Sequence, residues 1–191
     1  MPLIHCNVTI TNLMLKLAHV LEKVCVYPAR LAGLLLLVLT AVILYDIVGR
    51  QFYNTGSVAL QELEWHLHGA IAMLGFGYAY TRNAHVRIDI LHASFADKTK
   101  LWLEIFGIAL LLTPFLIAIL WYGFEFAHRS FVRGEGSRGG LGLDHRWIIK
   151  STVPLSALLA LCGAWSVLLR AIATLQNRIN SPYKTDSLWK S

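Results

Sequence analysis

Apolar residues dominate four stretches of this chain, at about 31–48, 63–80, 101–126 and 151–169, and polar residues gather between them. A bilayer core about 30 Å thick takes about 20 residues of helix to cross, at 1.5 Å per residue. Hydrocarbon offers no water to an open backbone, so each such stretch must be helical. The third carries no charged side chain between Glu104 and Glu125, and the fourth none between Lys150 and Arg170. The pattern predicts an all-α integral membrane protein. It forms a single membrane domain over 1–191, with transmembrane helices at 31–50, 62–81, 101–127 and 151–171.

Ahead of the first span the period changes. Leu13, Leu17, Val20, Leu21 and Val24 recur at helical spacing, with Lys16, His19, Glu22 and Lys23 on the other side. This reads as an amphipathic interfacial helix over 11–27, capped by Thr11 or Asn12 and ended by Pro28. The alternative is a helix packed on a partner subunit, and the two are compatible. Pro114 falls mid-span in the third helix and predicts a kink there. In the second span Gly69, Ala72, Gly75 and Ala79 recur every three or four residues, a smooth face for close helix approach. No signal-peptide pattern precedes the first span, which is read as retained.

Charge sets the expected orientation. Of the basic residues, eleven fall in the two tails and the second connector, against six in the first and third connectors. By the positive-inside rule both termini are cytoplasmic. The third connector, with Arg129, Arg133, Arg138, Arg146 and Lys150, is the exception on the outer side. Trp65, Trp121, Tyr122 and Trp147 fit one headgroup layer, and Trp102 and Trp165 the other. The net charge of +6 is spread through connectors, without a Lys/Arg run interleaved with aromatics. It suits membrane lipid headgroups and gives no support to nucleic-acid binding.

Chemistry is sparse. The densest polar cluster is Glu62-Leu63-Glu64-Trp65-His66-Leu67-His68 at the mouth of the second span, where Glu62 faces His66 and Glu64 faces His68 at i,i+4. It reads as a proton relay or as interfacial pairs that fix helix depth. Below it the helix is small and apolar, so nothing continues a path across. His66 or His68 facing His128 is the one arrangement that could hold a haem, the alternative being a haem-bearing anchor of a respiratory oxidoreductase. No HExxH or CxxC motif supports a metal centre, and Cys6, Cys25 and Cys162 make no disulfide framework. Asp46 and Arg50 form an expected i,i+4 pair. Without a nucleophile–base pair or a phosphate loop, no enzyme is expected. The glycine-rich tract 134–142 reads as a flexible outer loop.

Several segments then align with a known family. Arg50 follows the first span, and Glu62, Glu64 and Trp65 open the second. Gly-Tyr-Ala-Tyr-Thr-Arg-Asn-Ala-His-Val-Arg-Ile-Asp occupies 77–89, and Arg-Trp-Ile-Ile-Lys-Ser-Thr-Val-Pro occupies 146–154. In these the chain resembles, from about Leu31 to Leu169, the small DctQ-like membrane subunit of tripartite ATP-independent periplasmic (TRAP) transporters. The last segment looks like the mannitol/chloroaromatic or keto-acid type branch. The resemblance implies a heterotrimer taking up organic anions, often carboxylates. Its partners would be a large multi-span permease subunit and a periplasmic substrate-binding protein. The small subunit would be a scaffold in the bacterial inner membrane that helps dock the binding protein. It would carry no cofactor, with sodium coupling in the large subunit. Candidate interface residues are Arg50, Glu62, Glu64, Trp65, His85, Arg87 and Asp89 among the markers, and Arg133, Arg138, Arg146, Trp147 and Lys150 around the third connector.

Overall fold

The computed structural model describes residues 2–82, 97–137 and 141–177, and within them the chain is helical with no strand. Helix α1 spans Pro2–Tyr53 and α2 spans Val58–Thr81. Helix α3, Asp97–Phe106, runs through a π-helical stretch, Gly107–Leu112, into α4, Thr113–Val132. Helix α5 spans Trp147–Asn177. Among the described residues, three helices are long and apolar enough to cross a membrane: Thr11–Tyr53, Lys98–Val132 and Trp147–Gln176. Helix α2, at 24 residues, is long enough for a bilayer core but is not one of the three. Glu62, Glu64, His66 and His68 crowd its N-terminal half and dilute its apolar character.

The expected break at Pro28 is absent: the residues read as an interfacial helix and those read as the first span form one helix. Proline forfeits one N–H and crowds the carbonyl four residues back, which bends a helix more often than it ends one. Thr11 and Asn12 are therefore interior positions, not caps. The end of α1 is set instead by Asn54, which takes the left-handed conformation (φ 51°) that asparagine tolerates. The Thr55 N–H then turns back to donate to the Gly49 carbonyl at 3.2 Å.

At Pro114 the helix widens. Over Gly107–Leu112 it adopts π geometry, and both the backbone N–H and the hydroxyl of Thr113 donate to the Ile108 carbonyl, the hydroxyl at 2.8 Å. The wider turn lies just N-terminal to the proline, on the carbonyls its ring would crowd in an α-helix. The expected disturbance is thus present as a π segment.

The chain divides into two compact units. One gathers 1–26, 77–116 and 159–191; the other gathers 27–76 and 117–158. In the first, α1 packs on α5 through small residues. Ala18, Cys25, Ala164 and Ser166 are fully buried. The Ser166 hydroxyl donates to the Ala18 carbonyl at 2.9 Å, and the Cys25 thiol donates to the Leu159 carbonyl at 3.4 Å. Glu22 accepts from Arg170 and lies 3.9 Å from Arg82, whose guanidinium sits over the Tyr78 ring. A core of Ile108, Ala164 and Val167 is flanked by Tyr80, Leu112 and Leu168. In the same unit α2 crosses α5 at two glycines. A methyl on Gly77 would stand 2.7 Å from the Leu159 carbonyl carbon, and one on Gly163 would stand 2.5 Å from the Gly77 carbonyl oxygen. The two glycines of the expected stripe do not make so close an approach. Gly75 has open space around it, and Gly69 meets only Ile149 at 3.7 Å, in the second unit.

Along α1 from Thr11 onward the buried positions are Thr11, Ala18, Cys25, Ala32, Leu39 and Asp46, one every seven residues. Seven residues are nearly two turns, the repeat that keeps one line of a helix against its neighbours. The apolar residues between these positions face outward: Leu13, Val20 and Leu34 are each more than half exposed. So are Trp65, Trp102, Trp121 and Tyr122. In lipid such faces need no covering by protein.

Candidate functional site

In the second unit backbone, hydroxyl and charge converge on a single side chain, Glu62 on α2. Helix α4 ends at Gly134, in the left-handed conformation (φ 56°). Its N–H donates to the Phe131 carbonyl and the next, of Glu135, to that of Ser130, both at 3.1 Å. This pair of bonds closes the last turn and turns the chain away from the helix axis. The connector then reaches α2. The Ser137 hydroxyl donates to Glu62 Oε1 at 2.6 Å and the Leu143 N–H to Oε2 at 2.8 Å, while the Arg146 guanidinium lies 3.8 Å from Oε1. The backbone of Gly142 presses on the same carboxylate, since a methyl there would stand 2.5 Å from Glu62 Cδ. Glu62 is left 8% exposed, too buried to meet another protein.

A second carboxylate holds the loop from within. Glu135 accepts from Lys150 and lends its backbone carbonyl to the Arg146 N–H at 3.0 Å. The Lys150 ammonium also sits over the Phe126 ring, 4.3 Å from its centroid. Gly136 fits beside Asp144, and His145 takes a left-handed conformation (φ 63°) just before α5 begins. Phe131 and Trp147 meet edge to face at 5.3 Å. The described parts of the glycine-rich tract are therefore seated against α2, not loose as expected: glycine is needed here for close approach. The Lys150 hydrogen bond holds the Glu135 carboxyl below its ordinary 4.5. A lowered folded value contributes stability above pH 4.5 that is lost as pH falls through the folded value. Amide protection in the connector should thus be level from pH 7 to 5 and fall only below 4.5. Hydrogen exchange at stepped pH measures this, and Glu135→Gln should reduce the fall, leaving the part that the Glu62 carboxylate carries.

Arg50 pairs with Asp46 at 2.7 Å, as expected, and with its amide oxygen turned inward Gln61 accepts both guanidinium N–H groups at 2.5 and 2.7 Å. One oxygen of Glu64 is buried without a partner. Trp65 is 72% exposed. Arg133 is exposed, whereas Arg146 and Lys150 are drawn in toward Glu62 and Glu135. His85, Arg87, Asp89 and Arg138 lie outside the described residues. His66 Nδ1 bonds the Glu62 backbone carbonyl of its own helix, and His128 stacks on Phe124. Among the described residues no group of three or more His, Cys, Asp or Glu could hold a metal ion. No observation favours a haem between His66 and His128.

Glu135, Ser137, Leu143 and Gly142 were not singled out from sequence. Their local signal is that five glycines fall within 134–142, interrupted by Glu135, Ser137, Arg138 and Leu141.

Comparison with known proteins places this arrangement. No curated protein and no solved structure matches the chain. The family model described as "Tripartite ATP-independent periplasmic transporters, DctQ component" matches residues 39–175, from within α1 to near the end of α5 and across the Glu62 site. With most of its length matched and its helices built for a bilayer, the chain belongs to this family: it is the small, inner-membrane permease component of a TRAP transporter.

Proposed function

We propose that this subunit is a scaffold for the large permease subunit and holds the periplasmic binding protein near it during uptake of an organic anion, carboxylates above all. The reading adds α2 as a fourth span and puts both termini in the cytoplasm, as the distribution of Lys and Arg favours. The connector 133–146 then faces the periplasm. The N-terminal part of α1 lies in or near the headgroup layer. The large subunit and surrounding lipid cover the outward apolar faces, and sodium coupling belongs to the large subunit. The branch suggested by 146–154, mannitol/chloroaromatic or keto-acid type, goes with this reading.

One observation carries it: three carboxylates withdrawn from solvent are paired within the chain, among the described residues. Asp46 is held by Arg50, Glu22 by Arg170 and Glu62 by its connector. Ionisable groups in a transport path must exchange partners with ion or substrate. Groups locked in internal pairs brace a fold. The chain alone, reconstituted in proteoliposomes with a sodium gradient, is expected to give no carboxylate flux, and adding the large subunit and binding protein should restore it. Flux from this chain alone would end the scaffold reading.

A further inference from the structure

We propose that Glu62 is a positioning residue for docking: from beneath the connector it fixes the shape in which that segment meets the binding protein, and it never touches the partner itself. The inference rests on the docking role proposed above, and it divides the basic connector into two sets of residues.

Of the four described basic residues in and beside the connector, Arg146 and Lys150 face inward. Arg146 lies 3.8 Å from Glu62, and Lys150 bonds Glu135. Arg129 is paired along α4 with Glu125 at 3.6 Å, and Arg133 stands exposed at the turn where α4 ends. The two residues before Arg133, Phe131 and Val132, are apolar and each at least 60% exposed, and Leu141 on the other arm of the connector is 75% exposed. A basic residue set among exposed apolar ones fits a partner surface where carboxylates surround an apolar patch.

That surface has a defined shape only while the connector is seated. Its two arms, 133–137 and 141–146, come from opposite ends of the segment, and Glu62 takes one donor from each: Ser137 from the first and Leu143 from the second. A carboxylate can do this because both oxygens accept. Without those bonds the Leu143 N–H loses its acceptor, and the two arms keep the Arg146–Glu135 backbone bond and the approach of Gly136 to Asp144. A partner that recognises the seated form then binds in proportion to the fraction seated.

The test measures association of the transporter's own soluble binding protein with the assembled membrane complex in nanodiscs, across a salt series. It is paired with hydrogen exchange at Leu143. Glu62→Ala should deprotect the Leu143 amide and weaken association by about tenfold or more, leaving the salt dependence unchanged because no contact charge is lost. Glu62→Gln should recover most of both, because its amide oxygen can accept from Leu143 while its N–H₂ donates to the Ser137 oxygen. Arg133→Glu should weaken association and flatten the salt dependence, with Leu143 still protected. If Glu62→Ala deprotects Leu143 yet association is unchanged while Arg133→Glu weakens it, positioning is refuted and the docking role survives. If Arg133→Glu leaves association untouched, the docking role fails and the inference with it. Should Glu62→Ala not assemble, Ser137→Ala removes one of the two donors and supports the same comparison. A smaller loss of affinity that tracks Leu143 protection is expected there, and no loss despite deprotection would overturn the inference.

Discussion

Gly77→Ala should be among the most damaging single substitutions in this chain, costing about 3 kcal/mol. The added methyl would stand 2.7 Å from the Leu159 carbonyl carbon. That neighbour is backbone inside α5 and has no rotamer to change, so α2 and α5 must move apart. Overpacking of this kind costs about 1–3 kcal/mol, occasionally more. Separation would also loosen the core of Ile108, Ala164 and Val167 in the same unit. Gly75→Ala is the control, because nothing lies within 4 Å of that site. There the change should be neutral or slightly stabilising, as alanine favours helix. Unfolding in mixed micelles by SDS titration measures both, and equal effects at Gly75 and Gly77 would contradict the contact.

The second large effect is expected at Arg170. Its guanidinium bonds Glu22 with both side chains nearly buried, at 11% and 13% exposure. Breaking a buried pair from one side strands the remaining charge, which costs about 3–5 kcal/mol. Arg82, 3.9 Å from the other carboxylate oxygen, stays behind and softens the loss. Arg170→Met should therefore destabilise by about 2–3 kcal/mol. Adding Glu22→Gln should give back a good part of it, because no charge is then left alone. The double-mutant cycle is the measurement: a coupling energy near zero would show that the pair contributes nothing.

How much of this was readable beforehand depends on the distance over which each feature is encoded. The helical, membrane-embedded class follows from runs of apolar residues, which are local, and the Asp46–Arg50 pair follows from i,i+4 spacing. The disturbance near Pro114 was legible because the ring acts on its own preceding turn. Its form, a π segment closed by Thr113 on Ile108, was not. The end of the first helix was misplaced because Pro28 was given more power than it has, while Asn54, which tolerates a left-handed backbone, was overlooked. Which side of the N-terminal part of α1 packs within the chain is not legible from its apolar stripe, because in hydrocarbon apolar side chains have no preference for the inside. The packed seam there consists of Ala18, Cys25, Thr11 and the charged Glu22. Which glycine of α2 touches α5 depends on how the helices are rotated about their axes, a non-local property. The same holds for the connector. Glu62 was picked out as a polar residue at a helix mouth, but its partners Ser137 and Leu143 lie far along the chain, and no spacing rule links them.

The heptad line along α1 bears on how such a subunit could change over time. Full burial at only one position in seven from Thr11 onward leaves much of the circumference of α1 lightly constrained by its own chain. Side chains on that free circumference can be exchanged for others of similar hydrophobicity without repacking the bundle. A lineage could therefore refit the protein to a different neighbour, or to a thicker or thinner bilayer, by outward substitutions alone, while the inward register passed down unaltered.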